Sequence, residues 1–148
     1  MADQTIKTLT ENLEAPNFDM VAFNSPPPLS EATVAIVTSA ALRHPDQEDF
    51  TPSDTGFRIL DGNRRDYLLG HWSPNFDTMG FTGDFNTVIP LDRLDELVAE
   101  GKIGQVSDTH LSYAGNQFNL SAVRMDSGPA GAKLLKKKGV DIVLFTPV

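Results

Sequence analysis

The sequence predicts an α/β fold of Rossmann-like layering, with helices covering a mainly parallel sheet. Three observations carry that expectation. Val34, Ile36 and Val37 stand in a short continuous apolar run, as a strand buried on both faces requires. Leu91, Leu94, Leu97 and Val98 share one face at helical spacing. "SGPAGAKLLKKKG" reads as a second helix that feeds directly into an apolar strand, Asp141 to Phe145, which is the strand, helix, strand order of a βαβ unit.

Residues 1–30 read as an N-terminal arm: residues 4–23 have scattered apolar positions and weak helical spacing, and "SPPPLS" then forces a stiff, extended connector. The domain proper is expected over residues 31–148. "ATVAIVTSAAL" supplies the first core strand, followed by small residues. "RHPDQEDFTPSDTG" is turn-rich and acidic, and its His44 reads as a solvated loop residue. "FRIL" and "RDYLLGHW" have the length of short strands. The clearest helix lies in "NTVIPLDRLDELVAEGKIG", with Pro90 suited to its first turn and Gly101 to its stop. In the second helix Ser127 reads as the cap, Pro129 lies near the first turn and Gly139 ends it. Lys136 to Lys138 invite an anion-binding reading. A structural one is preferred, because cations in a last turn meet the negative end of the helix dipole, at about 0.3–1 kcal/mol each. The strand that follows is expected to be buried.

Composition narrows the function classes. The chain has 148 residues, suiting one domain, and a formal charge of -8 from 12 basic and 20 acidic side chains. That charge opposes phosphate backbones and anionic lipid surfaces, so neither nucleic acid nor membrane is an expected partner. No run approaches the roughly 20 apolar residues of a membrane span, and the N-terminus lacks the order of a signal peptide, so the expected compartment is the cytoplasm. The absence of cysteine excludes disulfides, thiolate metal sites and cysteine nucleophiles within these residues.

The most polar constellation is "GHWSPNFDTMGFTGDFN". Histidine titrates near neutral pH, carboxylates can orient it or act as bases, and glycines admit a ligand close to the backbone. His71 follows an expected strand, Asp77 and Asp84 flank a turn, and Asn86 precedes a helix. The same residues also suit a plainer role, with Asp84 and Asn86 capping or turning the chain and His71 hydrogen-bonded in the interior. A metal site from His71, Asp77, Asp84 and His110 lacks any recognisable ligand spacing, so no metal is expected. There is no GxSxG elbow, no GxGxxG and no GKS/T loop.

The succession "ATVAIVTSAAL", "SDTGFRIL", "GHWSPNFD", "DFNTVIPLDRLDELVAEGKIG", "THLSYAGN" and "GVDIVLFTPV" resembles the glycine/sarcosine/betaine reductase selenoprotein B family, which includes the selenoprotein subunit of D-proline reductase. The likeness covers about residues 30–148 and is most specific in "DFNTVIPLDRLDELVAEGKIG" and "GVDIVLFTPV". It implies reductive cleavage of a C–N bond in a small amine substrate. The nucleophile would be a selenocysteine or cysteine due just after Val148, so that the chain would end at an in-frame UGA; a genuine stop in a copy without the nucleophile is the rival. The resemblance also implies a pyruvoyl group on a partner subunit, and a dithiol or thioredoxin-type reductant. It sets His71 and Asp84 near the substrate, and Asn86 on the substrate side as a loop-fixing hydrogen bonder. Arg93 is expected to make a structural ion pair. Two further readings stay open: a noncatalytic domain that binds a partner or small ligand, and a metal-dependent or substrate-binding enzyme using the His71 and Asp84 region alone. If the terminal strand normally lies inside a larger sheet, the chain should expose apolar surface and self-associate.

Overall fold

The computed structural model describes residues 8, 23–71, 79–115, 117 and 120–148. Asp77 and most of the expected arm lie outside the described residues. A 3-10 turn, Leu29–Glu31, leads directly into β1, Thr33–Thr38, which is the central strand of the sheet. The other elements in chain order are β2 (Leu42–Arg43), β3 (Phe57–Asp61), β4 (Leu68–Leu69), α1 (Met79–Gly83), α2 (Leu91–Ala99), β5 (Gln105–Val106), β6 (Thr109–Tyr113), α3 (Gly128–Lys137) and β7 (Ile142–Thr146).

Three strands pair with β1 in parallel. Val34 partners both Val106 of β5 and Ile142 of β7, while Val37 partners both Leu111 of β6 and Phe145 of β7. A strand has only two edges, so β5 and β6 follow one another along one edge of β1 and β7 occupies the other. β3 adds antiparallel to the outside of β6, giving a mixed but mainly parallel sheet. The unit β6–α3–β7 is the expected βαβ crossover, and it passes over β1. β2 and β4 pair antiparallel in a separate ribbon, a much shorter strand than "RDYLLGHW" suggests.

The period of two along β1 sorts the core into layers. Val34 and Ile36 face a cluster with Leu42, Leu60, Tyr67, Val88, Ile89, Leu91 and Leu94, so α2 and the β2–β4 ribbon cover that side. Ala35 and Val37 face Leu111, Leu134, Leu135 and Val143, so α3 covers the other. Helices on both faces of a mainly parallel sheet are the layering that the sequence predicts.

The helix ends follow their local chemistry, with one correction. Gly101 and Gly139 adopt φ of +68° and +75°, the left-handed conformation that closes α2 and α3. Pro90 stands immediately before α2, and Arg93 pairs with Glu96 at 3.0 Å on its surface. Lys136 and Lys137 occupy the last turn of α3, and Lys138 Nζ reaches Asp108 at 3.4 Å. Ser127, however, is not a cap. A π-helical turn, Val123–Ser127, runs continuously into α3, so Ser127 has helical backbone angles and its hydroxyl donates instead to Thr55 O at 2.6 Å.

A second correction concerns β7. The strand is not buried: Leu144 is 38% and Phe145 70% exposed, because among the described residues β7 pairs only with β1. An apolar sequence predicts a buried strand, whereas a strand paired on one edge only leaves one side of the same residues uncovered.

Candidate functional site

Ligands in open α/β sheets gather beyond the carboxyl ends of the parallel strands. Here those ends are Ser39 after β1, Gly115 after β6 and Val148 after β7. Ser39 grips Val148 at both backbone groups, its Oγ accepting from Val148 N–H at 2.9 Å and donating to Val148 O at 3.2 Å. Next to it, Thr38 Oγ1 donates to Thr146 O at 3.2 Å, and Thr146 Oγ1 donates to Val88 O at 2.7 Å. The end of β7 is thus tied to both its neighbouring strand and the loop entering α2.

His71 joins this junction. A Cβ placed on Gly115 would lie 2.9 Å from His71 Nε2, 2.9 Å from Ser39 O and 3.3 Å from Val148 O. Three groups from separate parts of the chain therefore converge on one point that only glycine leaves open. His71 is half-buried, and that burial pushes its imidazole below the ordinary histidine range, toward the neutral form. Beside the junction, on the α3 side, an apolar cavity of about 360 Å³ is lined by Val37, Ser39, Leu111, Tyr113, Val143 and Phe145, among others.

Asp84 and Asn86 lie at a second place. Asp84 caps the 3-10 turn Phe85–Thr87, its carboxylate accepting from Asn86 N–H at 2.9 Å and from Asn86 Nδ2 at 3.0 Å. Asn86 Nδ2 also donates to Asp92 at 2.9 Å, and Asn86 Oδ1 accepts from Asp92 N–H at 3.1 Å, so this amide pins the loop to the first turn of α2. Asp92 is held below the usual carboxylate range by the Asn86 hydrogen bond and then by Arg65. Arg65 reaches Asp92 at 3.2 Å and Asp95 at 2.9 Å. Asp84, Asn86, Asp92 and Arg65, with Tyr67, line a cavity of about 210 Å³. The tertiary structure brings Asp84 and Asn86 together there; His71 is not among the residues lining it.

The remaining histidines are structural. His44 is not a solvated loop residue: it is 2% exposed, its Nε2 accepts from Asp61 N–H at 3.0 Å and its Nδ1 lies 3.1 Å from Asp66. His110 is fully buried in β6, where its Nδ1 accepts from Ile36 N–H at 2.9 Å. That hydrogen bond serves β1 where the neighbouring strand passes from β5 to β6. Among the described residues no three histidines or carboxylates stand together as a metal site.

Sequence reasoning missed Ser39, Gly115 and Arg65. The small residues after β1 were a visible signal for Ser39, since a strand that ends in small side chains admits another chain closely. Gly115 and Arg65 depend on long-range approach and had no local signal.

The family model for glycine/sarcosine/betaine reductase selenoprotein B matches residues 4–148. The chain is 29% identical over 121 residues to D-proline reductase subunit gamma of Acetoanaerobium sticklandii, covering 80% of this chain and 49% of the relative. It is 30% identical over 165 residues to glycine reductase complex component B subunit gamma of Carboxydothermus hydrogenoformans, covering 98% and 37%. It is 31% identical over 145 residues to betaine reductase complex component B subunit beta of Peptoclostridium acidaminophilum, covering 90% and 32%. The chain therefore spans between about a third and a half of the length of these relatives. No solved structure matches it at a significant level. With the family match running through every strand of the sheet and both ends of the junction at Ser39 and Val148, the chain belongs to the glycine/sarcosine/betaine reductase selenoprotein B family.

Proposed function

We propose that this chain is part of a selenoprotein B-type reductase subunit that cleaves the C–N bond of glycine, sarcosine, betaine or D-proline. The family match over residues 4–148 is the observation that supports this reading. The nucleophile in it is a selenocysteine or cysteine supplied just beyond Val148, next to the strand end that Ser39 holds. The selenolate or thiolate attacks the substrate's α-carbon, forming a new bond to carbon as the C–N bond breaks; the amine departs with the bonding pair and takes up a proton. A neighbouring thiol then attacks the selenium or sulfur, and the carbon leaves with that bonding pair and gains a proton. A dithiol or thioredoxin-type donor reduces the resulting bond between the two chalcogens and becomes a disulfide. A pyruvoyl group on a partner subunit would draw electron density from a primary or secondary substrate nitrogen.

His71, which burial holds toward the neutral form and which converges with Ser39 and Val148 on Gly115, is assigned the role of taking a proton from that thiol or selenol. Asp84 and Asn86 are assigned a supporting role on the substrate side, fixing the loop that enters α2 through their bonds to each other and to Asp92. The cytoplasm is the compartment for this dithiol chemistry, and no helix among the described residues is long and apolar enough to cross a membrane. A second reading, a noncatalytic domain docking on another subunit, draws on the exposed Leu144 and Phe145 of β7.

The test combines the reading frame after Val148 with an assay of the native complex. An in-frame UGA or cysteine codon followed by open frame, together with dithiol-dependent cleavage of one of the named substrates, is expected. UAA or UAG at that codon, with no turnover of any of them, would overturn the reading in favour of the docking domain.

A further inference from the structure

We infer that Ser39 is a positioning residue, fixing the backbone at the carboxyl end of β7 at a set distance from the His71 imidazole, and that Gly115 keeps open the space in which they meet. The inference rests on the reductase reading for its consequence in catalysis, but its geometry is independent of that reading. The Ser39 hydroxyl makes two hydrogen bonds to the backbone of residue 148, accepting from its N–H and donating to its carbonyl. The Ser39 N–H also donates to Thr146 O at 3.4 Å, so the same residue continues the β1–β7 ladder one step past the end of β1 and then replaces it with its hydroxyl. A strand end that would otherwise fray is thereby held to a single position.

Gly115 sets the other half of the distance. Any side chain there would begin 2.9 Å from His71 Nε2 and from Ser39 O, and 3.3 Å from Val148 O. An alanine at this position must displace the imidazole and the Ser39 carbonyl, because real Cβ atoms essentially never come within 3.0 Å of a heavy atom, and it crowds the β7 end. Ser39 and Gly115 therefore act through His71 and the strand end and not on substrate directly.

The experiment uses the native subunit in its complex, with Ser39→Ala, Ser39→Thr and Gly115→Ala, and reads both the NMR titration of His71 and steady-state kinetics on the accepted amine. Ser39→Ala and Gly115→Ala should both move the His71 titration midpoint, Ser39→Ala upward as the strand end beside the ring is released and Gly115→Ala because the added methyl displaces the ring. They should lower kcat by on the order of 100-fold, the cost of misplacing a reacting group by about 1 Å, with KM little changed. Ser39→Thr, which keeps the hydroxyl, should restore most of both. A purely structural role would lower the melting temperature and leave the His71 midpoint in place, and that result overturns the inference. An inactive wild-type complex would instead overturn the reductase reading, and the His71 titration would still decide the role of Ser39 and Gly115.

Discussion

His110 is the residue whose protonation the fold resists most. Burial holds its pKa down at about 4 against an ordinary 6.5, and its Nδ1 is occupied as the acceptor of Ile36 N–H. The unfolded chain binds a proton there as pH falls through 6.5, and the folded chain does so only near 4. His110 therefore leaves stability intact above about pH 6.5 and removes it progressively as pH falls from 6.5 toward 4, by up to about 3 kcal/mol. His110→Leu should cost about 1–3 kcal/mol at pH 7, because Ile36 N–H is left buried without its acceptor, and should flatten the pH dependence over that window. Urea unfolding at pH 7 and pH 5 measures both; equal loss on acidification in wild type and variant would refute the assignment. Gly62 lies against the same ring, and a Cβ there would sit 2.6 Å from Ser107 O and 3.0 Å from His110 Nε2. Gly62→Ala should therefore destabilise by about 1–3 kcal/mol in the same unfolding assay. Neither role was legible in the sequence. "RHPDQ" and "THLSY" give their histidines no pattern that marks burial, and only the fold shows that both rings are enclosed and accept backbone hydrogen bonds.

At the scale of elements, α2 was the most legible. Its apolar spacing, the proline before it and the glycine after it are all local, and the structure keeps each of them. Leu94 is buried against the sheet, so Leu94→Ala should cost about 2–5 kcal/mol, whereas changes at the exposed Asp95 or Glu96 should stay within about 0.5 kcal/mol. Thermal or urea unfolding separates these outcomes, and similar costs at Leu94 and Glu96 would contradict the assignment of the buried face. The start of α3 was misread for a physical reason. Ser127 has the residue type of a cap, but the preceding π-helical turn supplies the backbone continuity that a cap would otherwise replace. β6 carries no local strand signal, since "THLSY" mixes polar and apolar residues. Its polar members Thr109, His110 and Ser112 are buried nonetheless, because β6 lies inside a sheet that is covered on both faces.

For the whole molecule, the apolar edge governs behaviour in solution. β7 presents Leu144 on the α2 side and Phe145 on the α3 side, next to the cavity of about 360 Å³. An exposed, apolar edge strand is a template for association, so the 148-residue chain should self-associate with increasing concentration despite its charge of -8. Phe145→Glu should reduce that association with a stability change within about 0.5 kcal/mol, as expected for an exposed position. Light scattering checks it; a wild-type chain that stays monomeric across the accessible concentrations would remove the edge as an association surface.

The sequence by itself determined the α/β class, the first and last strands, both long helices and their stops, and the family, because each is written in residues close together in the chain. It also located Asp84 and Asn86 at a helix entry, where short polar side chains bond to nearby backbone. Only the tertiary structure decided which strands are neighbours, that β7 pairs only with β1 among the described residues, and that His71 meets Ser39, Gly115 and the end of β7 while Asp84 and Asn86 share a different cavity. Those facts depend on pairing register and on atoms brought within about 3 Å across long stretches of chain, and local pattern carries no measure of such approaches.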